Sequence, residues 1–146
     1  MDYRDYAKDL LLRKKNLVSA YSSIKTELGC LEQEKYSCKT SLANAAANGI
    51  GDPKVYEERL INLLADIEDC RFRRSVVERE LLKIEKGLET LNDYQKDLIQ
   101  VFFVDKNMGA ADELMERWFK ERSSLYRDRS RALEQFTRSV FGVVQI

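Results

Sequence analysis

The 146 residues include no histidine, one proline and only six glycines. Without histidine there is no Ser-His-Asp triad, no Cys-His pair and no histidine-bearing zinc site. So few turn formers exclude an all-β chain of many hairpins. The charged, leucine- and alanine-rich mixture suits long helices better than a doubly wound α/β sheet. Cys30, Cys38 and Cys70 are an odd set without C-x-x-C spacing. They fit neither a zinc ribbon nor a disulfide framework, and read as reduced, core-lining thiols of a cytoplasmic protein. The longest unbroken apolar run is Val-Phe-Phe-Val at 101–104, far short of a membrane span. The first residues, Met1-Asp2-Tyr3-Arg4-Asp5, carry acids where a signal peptide needs a basic region and a greasy stretch. Neither charge dominates, with 25 basic and 25 acidic side chains. Any electrostatic binding must therefore come from local asymmetry.

What the chain has in abundance is a 3.5-residue apolar period. Alternating steps of four and three from Tyr3 reach Ala7, Leu10, Lys14, Leu17, Tyr21, Ile24, Leu28, Leu31, Lys35, Cys38, Leu42 and Ala45. The same walk from Tyr56 reaches Leu60, Leu63, Ile67, Cys70, Arg74, Val77, Leu81, Ile84, Leu88 and Leu91. Of these 24 positions 21 are apolar, twice what the 44% hydrophobic composition supplies. Such a period marks coiled-coil packing. Between the two stretches, about residues 47–53, lie two glycines and the proline, ending in an Asp-Pro helix start. Two helices of about 40 residues flanking a short turn imply an antiparallel hairpin. A register in which partner numbers sum to 101 or 102 sets Leu42 on Leu60, Leu31 on Cys70, Leu28 on Arg74 and Ile24 on Val77. It also sets Leu17 on Ile84 and Leu10 on Leu91. Lys14, Lys35 and Arg74 interrupt the seam. Either their stems pack while their heads reach water, or they fix register or mark a surface where hairpins associate. Homo-oligomerisation through the coil is expected.

Gly87 is expected to disturb the end of the second long helix, and residues 91–95 read as a break and restart. Asn92 is a capping residue with Gln95 three positions on. Three shorter helices follow, at about 93–104, 110–118 and 122–140. Their apolar stripes include Leu98, Phe102, Leu114, Trp118, Leu125, Leu133 and Phe136. The expected architecture is all-α: a coiled-coil hairpin at 1–90 and a small three-helix domain at 91–146.

Charge divides sharply within that last part. Residues 91–116 hold Lys96 and Lys106 against Asp93, Asp97, Asp105, Asp112, Glu113 and Glu116. Residues 117–138 hold Arg117, Lys120, Arg122, Arg127, Arg129, Arg131 and Arg138 against Glu121, Asp128 and Glu134. On the final helix Ser124, Arg127, Asp128 and Arg131 fall at i, i+3, i+4 and i+7, roughly opposite the apolar stripe. Ser123 and Ser124 occupy its first turn, where hydroxyls and free N–H groups can meet phosphates. The arginines can make bidentate contacts with phosphates or guanine edges. The competing reading is a solvated face in which Arg127, Arg131 and Arg138 pair with Asp128 and Glu134.

Residues 91–136 resemble the helix-turn-helix of sigma-factor region 4. The resemblance is clearest in Glu116-Arg117-Trp118, then Arg122-Ser123-Ser124-Leu125-Tyr126-Arg127, then Arg131-Ala132-Leu133-Glu134. With a coiled hairpin in front, the chain is similar to phage-encoded sigma-like transcription regulators of Gram-positive bacteria, of the autolysin-regulator and RinA kind. The resemblance implies a regulator of phage or prophage transcription that binds double-stranded DNA and works with host RNA polymerase. By position it places Arg122, Ser123, Ser124, Arg127 and Arg131 at the DNA, with Lys120 and Tyr126 as further candidates. Leu125 would be the buried anchor, and Tyr126 would either stack on the backbone or cover the core. The sequence departs from the family pattern at Phe119, where the turn usually has glycine, and at Lys120, where an apolar residue usually plugs it. Met115 also replaces a small alanine, and the loop before Ala110 is about two residues longer. Two alternatives are a structural or assembly coiled-coil phage protein and a small packaging, terminase-like DNA-binding subunit. No enzyme is expected, since no nucleophile–base set exists, and no cofactor or metal is implied.

Overall fold

The computed structural model describes residues 1–146 as six α-helices with no strand. They are α1 (Tyr3–Leu12), α2 (Lys14–Asn48), α3 (Pro53–Glu89), α4 (Asp93–Ile99), α5 (Ala110–Trp118) and α6 (Arg122–Phe141); α4 runs on into a π-helical stretch, Gln100–Asp105. No helix is long and apolar enough to cross a membrane. Packing groups the chain into two compact units, Ser19–Glu78 and Met1–Val18 with Arg79–Ile146. Where the sequence places a boundary at 90/91, the contacts assign residues 1–18 and 79–90 to the same unit as 91–146.

In the unit Ser19–Glu78, α2 and α3 pack along the expected seam. Ile24, Leu28, Ile67 and Cys70 are buried together, with Leu31 and Val77 against them. The turn is tighter than expected, only residues 49–52. Gly49 and Gly51 have φ of 67° and 83°, the left-handed region that glycine occupies without a Cβ penalty. Asp52 accepts the Lys54 N–H, and Pro53 follows as the first helical residue. Contacts across the seam fall on both sides of the expected register, the thiol bonds below its sum of 101–102 and the ion pairs close to it. The Cys70 thiol donates to the carbonyl of Ile24 at 3.4 Å, and the Cys38 thiol to that of Tyr56 at 3.3 Å. Cys70 thus reaches the Ile24 carbonyl, while Leu31 and Val77 pack on the same cluster. Flanking ion pairs tie the two helices: Arg73 with Glu27 at 3.0 Å and Arg71 with Glu32 at 3.5 Å. Lys35 and Arg74 are half-buried, as expected for packed stems with solvated heads.

The other unit is built on two clusters. Leu98, Val101, Ala110, Leu114 and Leu125 join α4, its π extension, α5 and α6, and Tyr94, Phe102, Met115 and Trp118 close the edges. The second cluster has Ala7, Leu10 and Leu11 of α1, Ile84 of α3 and Leu91, together with Ile99, Val104, Ala132, Leu133 and Phe136. Leu11, fully buried, lies off the heptad seam. The first helix of the expected hairpin is therefore interrupted at Arg13, and α1 serves a globular core. Lys14 donates to Gln100 at 3.5 Å, so this seam interruption reaches the π stretch.

Gly87 does not end α3, which continues to Glu89. It is buried because α6 approaches the backbone there: a Cβ would stand 2.5 Å from the Phe136 ring and 2.7 Å from Val140. Gly87→Ala should gain about 1 kcal/mol of helix propensity but force apart an immobile ring, at about 1–3 kcal/mol. The expected net result is destabilisation, read as a lower urea midpoint. The restart after α3 follows the sequence closely. Asn92 and Gln95 form a complete reciprocal capping box.

Candidate nucleic-acid interface

The candidate interface rests on α5, a three-residue turn, and α6. The α5 helix ends at Phe119, held left-handed at φ 53°, with the Lys120 N–H bonded to the Met115 carbonyl at 3.3 Å. This left-handed position is the one where the resemblance expects glycine. The Phe119 ring is 94% exposed, so burial does not offset the backbone strain.

Behind the turn, α4 ties both helices down. Asp97 accepts from the Trp118 indole N–H and from Arg117, whose guanidinium also reaches Glu113. Asp97 thereby holds the Arg117 guanidinium even more firmly protonated. Tyr94 packs its ring on Trp118 at 5.1 Å and donates its hydroxyl to Asp128 at 2.7 Å. Burial first, and then the Asp128 carboxylate, push the Tyr94 phenol well above its ordinary range. A raised acid pKa contributes stability that is intact at neutral pH and drains away as pH climbs above the ordinary phenol value near 10. Tyr94→Phe should flatten this alkaline loss, measured as urea midpoints on either side of that pH.

These ties decide which α6 side chains are free. Asp128 is turned to Tyr94, and Glu134 pairs with Arg4 at 3.3 Å. Neither acid pairs with Arg127, Arg131 or Arg138, so the self-paired charged face anticipated above does not form. Ser124, Arg127, Arg131 and Arg138 instead fall along one ridge, spaced within about 60° of one another at 100° per residue. The ridge lies opposite the buried Leu125, Ala132, Leu133 and Phe136. All three arginines are exposed, and none makes an ion pair. Arg127 bonds only to the Ser124 hydroxyl, at 3.3 Å.

The remaining sequence candidates are dispersed. Arg122 is engaged by Asp112 of α5. Ser123 is exposed but about 100° away from Ser124. Lys120 lies over the Tyr94 ring at 5.4 Å, beside an open groove that Arg131, Asn92 and Gln95 also line. Tyr126 is exposed at the rim of the core, packed on Phe102 at 6.0 Å and beneath Arg129 at 4.7 Å. Arg138 was missed as a candidate, although its i+11 spacing from Arg127 closes three helical turns and puts it on the same ridge.

The fold and this surface define an all-helical protein whose last helix is anchored on one side and carries unpaired cations on the other. No family model, no curated protein and no solved structure matches the chain.

Proposed function

We propose that the chain is a sequence-specific DNA-binding transcription regulator of the phage or prophage type, with α5–α6 acting as a helix-turn-helix. One observation carries this reading: Arg127, Arg131 and Arg138 line the outward ridge of α6 without a carboxylate partner. Arg127 and Arg138 are about 16 Å apart along the axis. Such a row suits a major groove, with guanidinium groups reaching guanine edges or flanking phosphates. Lys120 and the Ser123 and Ser124 hydroxyls at the start of α6 would contact the backbone. Host RNA polymerase is the partner the resemblance adds. The test is selection from random duplexes with the purified chain. Enrichment of one motif supports the reading, and a pool that stays random overturns it.

A second reading, a structural or assembly role, is favoured by a different surface. On α3, Ile61, Leu64, Phe72 and Val76 form an exposed apolar stripe, broken by Glu68, on the side away from Leu63, Ile67 and Cys70. In this reading the stripe associates with other copies. Self-association that Phe72→Glu abolishes, in a chain without DNA affinity, would favour it over the first.

A further inference from the structure

A cavity of about 340 Å3 lies between α1, the π-helical stretch and α6. Its apolar walls are Leu12, Phe102, Phe103 and Leu133, with the Ser130 hydroxyl beside them. Three cations, Lys8, Lys106 and Arg129, stand around them, and none makes an ion pair. The one acid in the lining, Asp9, is already paired with Arg13 at 3.3 Å. Arg129 is half-buried and held over the Phe102 and Tyr126 rings at 5.0 and 4.7 Å. Lys106 is one of only two non-glycine residues in the left-handed region, at φ 50°. That conformation ends the π-helical stretch there.

We propose that this cavity binds a small amphipathic carboxylate, an anion carried on an aromatic or branched-alkyl body. The guanidinium fork of Arg129 offers the bidentate geometry a carboxylate takes. Phe102, Phe103, Leu12 and Leu133 would receive the apolar body. The volume is near the lower end of the range for small-molecule sites, about 300–1,000 Å3, and suits a compact ligand. Duplex phosphate does not fit this chemistry, because it brings no apolar body. Arg129 also points about 160° away from the Arg127 ridge. The inference rests on the cavity alone and holds whether or not α6 meets DNA.

The experiment is calorimetric titration of the full chain with naphthoate, with naphthalenemethanol as the neutral isostere and acetate as the bodiless anion. Naphthoate should bind saturably at one site per chain, and both comparison ligands about tenfold more weakly or not at all. Arg129→Gln should weaken naphthoate by about tenfold with the circular dichroism spectrum unchanged. If that variant loses helicity, Lys106→Gln, at an exposed position, carries the test and should also weaken binding. Absence of saturable naphthoate binding overturns the proposal. So does equal affinity for the alcohol or for acetate, or indifference to the folded variants.

Discussion

Phe136→Ala destabilises the protein by about 3–5 kcal/mol. The Phe136 ring has no exposed surface. It lies in the cluster that joins α1, α3 and α6, against the α3 backbone where Gly87 makes room for it. Removing the ring loses its transfer energy and leaves a cavity that helices on three sides cannot close. With typical domain stabilities of about 5–15 kcal/mol, the loss takes a large share of the total. It should appear as a fall of roughly 15–25 °C in the thermal midpoint. The same substitution removes one of the two obstacles at Gly87 and leaves Val140, so in that background Gly87→Ala should cost less than in the wild type, a non-additivity that contacting residues show. Phe119 is the control. Phe119→Gly discards an exposed ring and relieves a left-handed residue, and should gain about 1 kcal/mol. A Phe136→Ala loss below about 1 kcal/mol would mean that α6 is not seated on α3 as described.

The second large effect falls on DNA. Replacing Arg127, Arg131 and Arg138 together by alanine should lower affinity for duplex by at least about a hundredfold at low salt, since hydrogen bonds to charged groups are worth about 1.5–3 kcal/mol each. Stability should barely change, because all three side chains are exposed and unpaired. Fluorescence anisotropy with labelled duplex, beside circular dichroism of the same samples, checks both halves. Arg122→Ala and Arg117→Ala provide the contrast. These arginines are engaged by Asp112 and by Asp97 with Glu113, so their loss should affect the α4–α5–α6 framework more than the ridge. Equal DNA affinity in the triple variant and the wild type would remove α6 from the interface.

Much of the helical framework was legible in the sequence because its signals are local. The Asn92–Gln95 box, the Gly/Pro turn and the start of α6 at Arg122 each depend on a few adjacent residues, and each lies within a residue or two of its expected place. What escaped depends on neighbours distant in the chain. A heptad repeat fixes which face is apolar but not what each side chain bonds to, so the Cys38 and Cys70 thiol bonds to carbonyls of the facing helix left no trace in the pattern. Ala7 and Leu10 fit the same repeat while packing in a globular core, and Leu11 was the one residue out of step. Gly87 resembled a helix breaker because its reason, the Phe136 ring, lies 49 residues further on. At the candidate interface, the sequence placed Arg127 and Arg131 on an outward face. It could not tell that Asp128 is claimed by Tyr94 and Glu134 by Arg4, and those two ties leave the ridge unpaired.

The central claim is that the unpaired ridge of α6 meets the phosphates and base edges of duplex DNA. The most direct test is the salt dependence of wild-type binding to a duplex. Three phosphate contacts predict that log affinity falls against log salt with a slope of about −3 or steeper. A chain that shows no affinity for duplex at low salt, or affinity that salt leaves unchanged, would contradict it.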